Sequence, residues 1–297
     1  MKRQIVTAAA VAFLFWGSCG PARADDAADL VKKQKATALE HWKQLFGDDQ
    51  PAQEETDHLL LFAAPTFSAQ QVLALGNTLE KVLALSVKAV RLDPKDELWS
   101  GKMAVFVLDD RGQFNSFVRR VAKRRTEADE LGLFSIRGET PYVGAGPGTS
   151  TLAPPPDVQA EEQLAAAVLN RKGAGNLPQW VLDGFGGATA WRAAPKGAWT
   201  MKQRQLARLL VARQGRTAKD IWSGNLEGDE AQVLGASFLD FLAYGPGASL
   251  FPKFLEGFAP DEDGGKKKTA AQAIQAMKLD PARLDQTWRV WVARGQY

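Results

Sequence analysis

The stretch LPQWVLDGFGGATA, Leu177–Ala190, decides how the rest of the chain is read. Leu177-Pro178 leads tightly into a helix, since proline suits a first helical turn and cannot continue an earlier one. Trp180 and Phe185 are candidates for the core. Gly186 and Gly187 weaken such a helix by about 1 kcal/mol each relative to alanine. Two adjacent glycines in an apolar helix call for a reason, and close packing against a neighbour supplies one.

Downstream of Leu177 every strong pattern is helical, including SFLDFLAYG, LFPKFLEGF and DQTWRVWVARG, and the helical character begins at Val158. Upstream, GPGTSTLAPPPD (Gly146–Asp157) is rich in Gly, Pro, Ser and Thr and reads as a loop and as the main internal boundary. The segment before it alternates. DHLLLFAA (Asp57–Ala64) has the length of a strand. SAQQVLALGNTLEKVLALSVKAVRL follows as a helix with Leu73, Leu79, Val82, Leu83 and Val87 on one face. KMAVFVLDD (Lys102–Asp110) is the clearest buried strand. QFNSFVRRVAKRR returns to helix through Phe114, Phe117, Val118 and Val121. GLFSIRG and PYVGAG are two short strands joined by the turn RGET. Residues 25–56 form a lead-in helix, with Leu30, Ala36, Leu39, Trp42 and Phe46 at helical spacing, and the linker DDQPAQEET. The expected fold class is α+β: a small mixed sheet with helices over residues 57–150, then an all-helical subdomain over residues 151–297.

The N-terminus carries Lys2 and Arg3, a short apolar run from Ile5 to Trp16, and small residues at Ala22 and Ala24. This is the pattern of a secretory signal peptide over residues 1–24, cut after Ala24. The expected location is therefore periplasmic or extracellular. A membrane anchor is the alternative, and the run is short for one. Lipidation at Cys19 is a second alternative, to which Trp16 is poorly suited. Residues 1–24 hold Lys2, Arg3 and Arg23 and no acid, so the remainder carries 34 basic and 34 acidic side chains. A neutral chain offers no global attraction to nucleic acid or an anionic membrane. RRVAKRR, Arg119–Arg125, reads as the solvent face of an amphipathic helix, and DGGKKK as a polar loop. Cys19 is the one cysteine, so the mature chain has no disulfide and rests on its core.

Taken in order, these segments resemble the peptidase MA-like domains of bacterial exported proteins, which share the gluzincin (thermolysin-type) fold. The resemblance runs from about Asp57 to the C-terminus, through LWSGKMAVFVLDDRGQF, the small β region, LPQWVLDGF, FLDFLAYG, FPKFLEGF and LDQTWRVWV. It rests on order and spacing. The family's active members carry His-Glu-x-x-His on the helix before the LPQW-like segment. Residues i and i+4 then share a face and bind one zinc, the Glu polarises the bound water, and a third ligand, a Glu, comes from the LPQW-like helix. Here the corresponding helix is VQAEEQLAAAVLNRKGAG. One register puts Glu162, Gln163 and Ala166 at the three motif positions; the other puts Glu161, Glu162 and Ala165 there. The third-ligand position falls on Asp183. Alanine has no donor atom, and the two histidines of the chain, His41 and His58, lie far from the motif in sequence. The resemblance therefore implies a peptidase-like frame without zinc, with no cofactor and no catalytic residue assigned. Glu162, Gln163, Ala166 and Asp183 are vestigial motif positions.

Two functions follow as expectations. The first is an exported protein that acts as a scaffold or binds an extended peptide or an envelope protein; the resemblance implies binding along an edge strand, with Phe134, Ser135, Ile136, Tyr142 and Val143 as the candidate edge. The second is a hydrolase using atypical groups around Glu162 and Asp183. A purely structural envelope protein with a filled cleft is a third possibility. No Gly-x-Ser-x-Gly elbow, phosphate-binding loop or dinucleotide fingerprint is present.

Overall fold

A computed structural model describes residues 24–93, 97–173, 175–259, 268–276, 278 and 280–295. The signal-peptide segment with Cys19 and the DGGKKK loop up to residue 267 lie outside the described residues.

Three strands form the centre of the sheet: β2 (Leu59–Ala63), β3 (Met103–Val107) and β5 (Tyr142–Ala145). They are mutually parallel, and β1 (Ala52–Glu55) and β4 (Gly132–Ser135) close the two sides antiparallel, in the order β1-β2-β3-β5-β4. Every residue of β2 and β3 is buried. A strand covered on both faces needs apolar side chains at every position, which is why LLLFA and MAVFV read as unbroken runs. The two faces feed different cores. Leu60, Phe62, Ala104 and Phe106 pack with Trp42 of α1 (Ala24–Phe46) and with Phe114 and Phe117 of α3 (Arg111–Arg120). Leu59, Leu61, Val105, Val107 and Val143 join the larger core with α2 (Ala69–Val90) and α4 (Pro156–Lys172).

Local chemistry places the boundaries. Ser68 opens α2 with a capping box to Gln71, and Arg91 closes it in a left-handed conformation. Asp110 caps α3 by accepting from the Gln113 backbone N–H. Pro155 and Pro156 start α4, and Pro178 precedes α5 (Gln179–Ala193). After β5 the described elements are helices: α4, α5, α6 (Ala198–Arg213), α7 (Ala218–Trp222), α8 (Gly228–Ala243), α9 (Phe251–Glu256), α10 (Ala270–Ala276) and α11 (Pro281–Arg294). The architecture is thus a five-stranded mixed sheet with helices on both faces, followed by helices alone.

Several expectations need correction. DDQPAQEET contains β1, paired with β2 from Ala52↔Ala63 to Glu55↔Leu60. Its AQEE has no apolar alternation, because it is an outer strand with half of its side chains exposed. The lead-in helix α1 packs on the sheet through Ala38 and Trp42. Gln34 is buried there, donates to the Ser100 and Glu139 carbonyls at 2.8 and 2.7 Å, and accepts from the Lys102 N–H at 2.9 Å. Leu73, expected on the buried face of α2, is half exposed, and Val72 and Leu75 are buried instead. The loop at residues 146–157 divides the chain by element type but not by core, since one apolar cluster runs from Leu59 to Val292.

α5 is the central helix, packed most extensively on α8 and α4. Its glycines make this possible. A Cβ on Gly186 would lie 2.6 Å from the Glu162 backbone oxygen, and one on Gly184 would lie 2.9 Å from the Gly235 backbone. Beneath the crossing, Asp240 of α8 is fully buried with Arg192 Nε at 2.5 Å and Arg204 at 3.9 Å, which joins α5, α6 and α8.

Candidate functional site

A cleft of about 770 Å³ opens between the segment preceding and entering β4 and the helices α4, α5, α6 and α8. Four of the residues singled out in the sequence meet there or beside it. Glu162 and Gln163 of α4 and Asp183 of α5 line the cleft. Ala166, one turn beyond Glu162, is buried in the core and adds no polar atom. The two adjacent glutamates part company: Glu161 is buried away from the cleft lining, with the charges of Lys81 and Asp157 acting on it. Glu162 therefore faces the cleft and Glu161 does not.

Glu162 and Asp183 approach each other because α4 crosses α5 at Gly186. Asp183 and Gly187 are four apart and share a face of α5, and the Glu162 Oε1 lies 3.7 Å from where a Gly187 Cβ would stand. Burial pushes the Glu162 carboxyl up to about 8, and the nearby charges of Asp183 and Glu161 push the same way. Burial also raises Asp183, to about 6, against the hydrogen bond it accepts from Gln179 Nε2 at 2.8 Å. Glu161 is raised to about 8, by burial first and then by Asp157, with Lys81 opposing.

Zinc does not fit these residues. It takes three protein ligands in a catalytic site, and here two carboxylates converge with alanine at the remaining motif position. Among the described residues no group of three His, Cys, Asp or Glu side chains is placed to hold a metal. His58 Nδ1 sits 2.8 Å from Glu80 Oε2, and Glu80 also accepts from the His58 backbone N–H and the Thr56 hydroxyl. His41 lies in α1 with its ring 6.5 Å from that of Phe106, and burial lowers its pKa. Neither histidine lines the cleft.

The candidate edge divides. β4 pairs with β5 alone, so Phe134 and Ser135 do lie on an outer strand. Tyr142 and Val143 do not: β5 is bonded to β3 on one side and β4 on the other, which uses its backbone groups. Ile136 falls beyond the end of β4. The part of the edge that reaches the cleft is Glu130, Leu131 and Gly132. Gly146 N–H donates to the Leu131 oxygen at 2.8 Å. Since antiparallel pairs alternate between bonded and unbonded positions, Gly132 and Phe134 turn their N–H and C=O groups outward.

Sequence reasoning missed the opposite wall. Trp191, Trp199 and Gln203 line it, with Gln159 and Gln179 nearby. The Trp199 Nε1 and Gln203 Nε2 donors are buried and make no hydrogen bond among the described residues. These two atoms are covered, so the residues meet the cleft through other parts of their side chains. No local motif marks these residues, and only the fold assembles them.

No family model matches the chain, and neither does any curated protein or solved structure. No described helix is long and apolar enough to cross a membrane.

Proposed function

We propose that this is an exported protein with a peptidase-like frame that binds extended peptide without zinc-dependent cleavage. The observation that carries the reading is the outward-facing backbone of β4 beside an open cleft. An extended chain can add to such an edge by main-chain hydrogen bonds, with the cleft taking alternate side chains. The expectation that a working zinc site is absent rests on the residues at the motif positions.

The test uses the mature chain and a degenerate heptapeptide pool, with retention read by mass spectrometry after ultrafiltration. Pool members are expected to be retained, and N-methylation of alternate backbone amides is expected to weaken retention by roughly 3–10-fold for each hydrogen bond lost. Retention indifferent to N-methylation would sink edge pairing.

A second reading is favoured by the carboxyl pair itself. Between pH 6 and pH 8 Asp183 is charged while Glu162 keeps its proton. That division suits a general base and a general acid. Asp183 would take a proton from an attacking water, and Glu162 would give one to the leaving amine. Hydrolysis of a quenched-fluorescent peptide pool, maximal between those pH values and abolished in Glu162→Gln, is the outcome this reading requires.

A further inference from the structure

A second hollow of about 490 Å³ adjoins the cleft and is lined by Arg111, Asn115, Ser116, Arg119, Arg124, Arg125, Thr126, Glu127 and Ala128. Cleft and hollow share Arg124, Glu127 and Ala128. The hollow is built from α3 and the loop that leads into β4, so it lies at the N-terminal end of that strand. Four guanidinium groups face one carboxylate in its lining.

Two of the four arginines are committed to shaping it. Arg111 donates to the backbone oxygens of Glu130 and Ala128, the latter at 3.2 Å, and its guanidinium stands 5.2 Å from the Phe114 ring centroid. Arg124 holds the Glu130 carboxylate and donates to the Arg125 oxygen at 2.9 Å. Glu130 is occupied further by the Glu127 backbone N–H at 3.2 Å. Arg119 and Arg125 are different: neither guanidinium group forms an ion pair or hydrogen bond among the described residues. The sequence run Arg119–Arg125 is therefore not one uniform solvent face. Arg120 turns the other way and donates to the Gln44 oxygen of α1, while Arg119, Arg124 and Arg125 converge on the hollow.

Position gives this charge a meaning. A strand added antiparallel to β4 ends, in its N-to-C direction, near Gly132 and the arginine hollow. A strand added parallel would bring its N-terminal ammonium there, against the unpaired Arg119 and Arg125 guanidinium groups. We propose that the hollow receives the C-terminal carboxylate of a peptide lying antiparallel to β4. The planar guanidinium fork matches a carboxylate with two parallel hydrogen bonds, and the pair is stronger than neutral contacts. Glu127 and Asp129 at the junction oppose an anion. Glu127 also lines the hollow, where the unpaired Arg119 and Arg125 guanidinium groups outweigh it, whereas the cleft beside Asp129, Glu162 and Asp183 offers an anion no such surplus. This inference rests on the peptide-binding reading and fixes the direction and the end that are recognised.

The experiment offers the full mature chain two heptapeptide pools of equal composition, one with free C-terminal acids and one with C-terminal amides. The acid pool is expected to be retained at least tenfold better by the wild-type protein. In Arg119→Gln/Arg125→Gln the ratio is expected to fall to about one. Both substitutions lie on exposed side chains outside the core, and the amide pool serves as the check that edge pairing survives. Equal retention of both pools by the wild-type protein overturns the carboxylate site and leaves peptide binding standing. Amide-pool retention confined to members with acidic residues near the C-terminus overturns it in favour of side-chain carboxylates. Retention of neither pool overturns the peptide-binding reading and this site with it.

Discussion

Replacing Gly186 with alanine is expected to destabilise the protein by about 2–3 kcal/mol, a fall of roughly 4–10 °C in thermal midpoint. Two effects of opposite sign compete. Helix propensity favours alanine by about 1 kcal/mol in a helix interior. Packing opposes it, since the new Cβ would lie 2.6 Å from the Glu162 backbone oxygen and 3.1 Å from its carbonyl carbon. Neither atom belongs to a side chain that can rotate aside. α4 and α5 would have to separate, and the apolar residues of both helices would lose contact along the crossing. Gly184→Ala meets the Gly235 backbone at 2.9 Å and should behave alike. Gly235 sits on the other side of that same α5–α8 crossing, yet its added Cβ would find nothing closer than 3.8 Å. Gly235→Ala is therefore expected to be neutral or to stabilise by up to ~1 kcal/mol. Urea unfolding of the three variants decides the matter. Stabilisation by Gly186→Ala would show that the helices can yield, and that the glycines are not there for the approach of α4.

These glycines also show what a sequence can and cannot disclose. GFGG inside an apolar helix signalled close packing, and the close approach of α4 and α5 is observed. What it approached was invisible, because the partner is a backbone carbonyl that any residue would supply. Buried strands declared themselves through LLLFA and MAVFV, whose continuous apolar character follows from burial on both faces. β1 did not, because AQEE gains its strand conformation from pairing with β2 and not from its own side chains. Tyr142 and Val143 were expected at an edge by way of the resemblance, whose active members pair peptide with an edge strand in this region. The inner position of β5 depends on β4 folding back outside it, a long-range choice that periodicity does not encode. In the cleft, the convergence of Glu162 with Asp183 was legible only by way of the resemblance to a metallopeptidase frame. The wall of Trp191, Trp199 and Gln203 comes from helices with no motif at all. RRVAKRR read as the solvent face of an amphipathic helix, although that helix ends at Arg120 and the hollow also draws on Arg111. The division of that run between Arg120 on one side and Arg119, Arg124 and Arg125 on the other required the path of the chain after α3.

At pH 8.5 Glu162→Gln is expected to be more stable than the wild-type protein by about 2–4 kcal/mol, while at pH 4.5 the two should agree to within ~1 kcal/mol. In the unfolded chain Glu162 ionises near the usual glutamate value, about 4.3. In the folded protein it keeps its proton until about 8, because burial and the charges of Asp183 and Glu161 oppose ionisation. Between those two values the folded state binds more protons than the unfolded state, so rising pH lowers stability, and the loss is complete only above the folded value. Glutamine holds the neutral form at every pH and escapes that loss. Glu162 is half-buried rather than sealed, so water in the cleft offsets part of the penalty. Asp183, ionising near 6, is already charged when Glu162 titrates; Asp183→Asn should therefore move the Glu162 transition toward lower pH. Thermal or urea unfolding across pH 4.5–8.5 measures both effects. A Glu162→Gln difference that stays constant with pH would mean that the carboxyl is not perturbed. The sign separates the two accounts of the cleft. A bound cation would hold Glu162 ionised, lower its pKa, and make the wild-type protein gain on the variant as pH rises. A pair of carboxylic acids without metal makes the wild-type protein lose ground instead, and that is the order expected here.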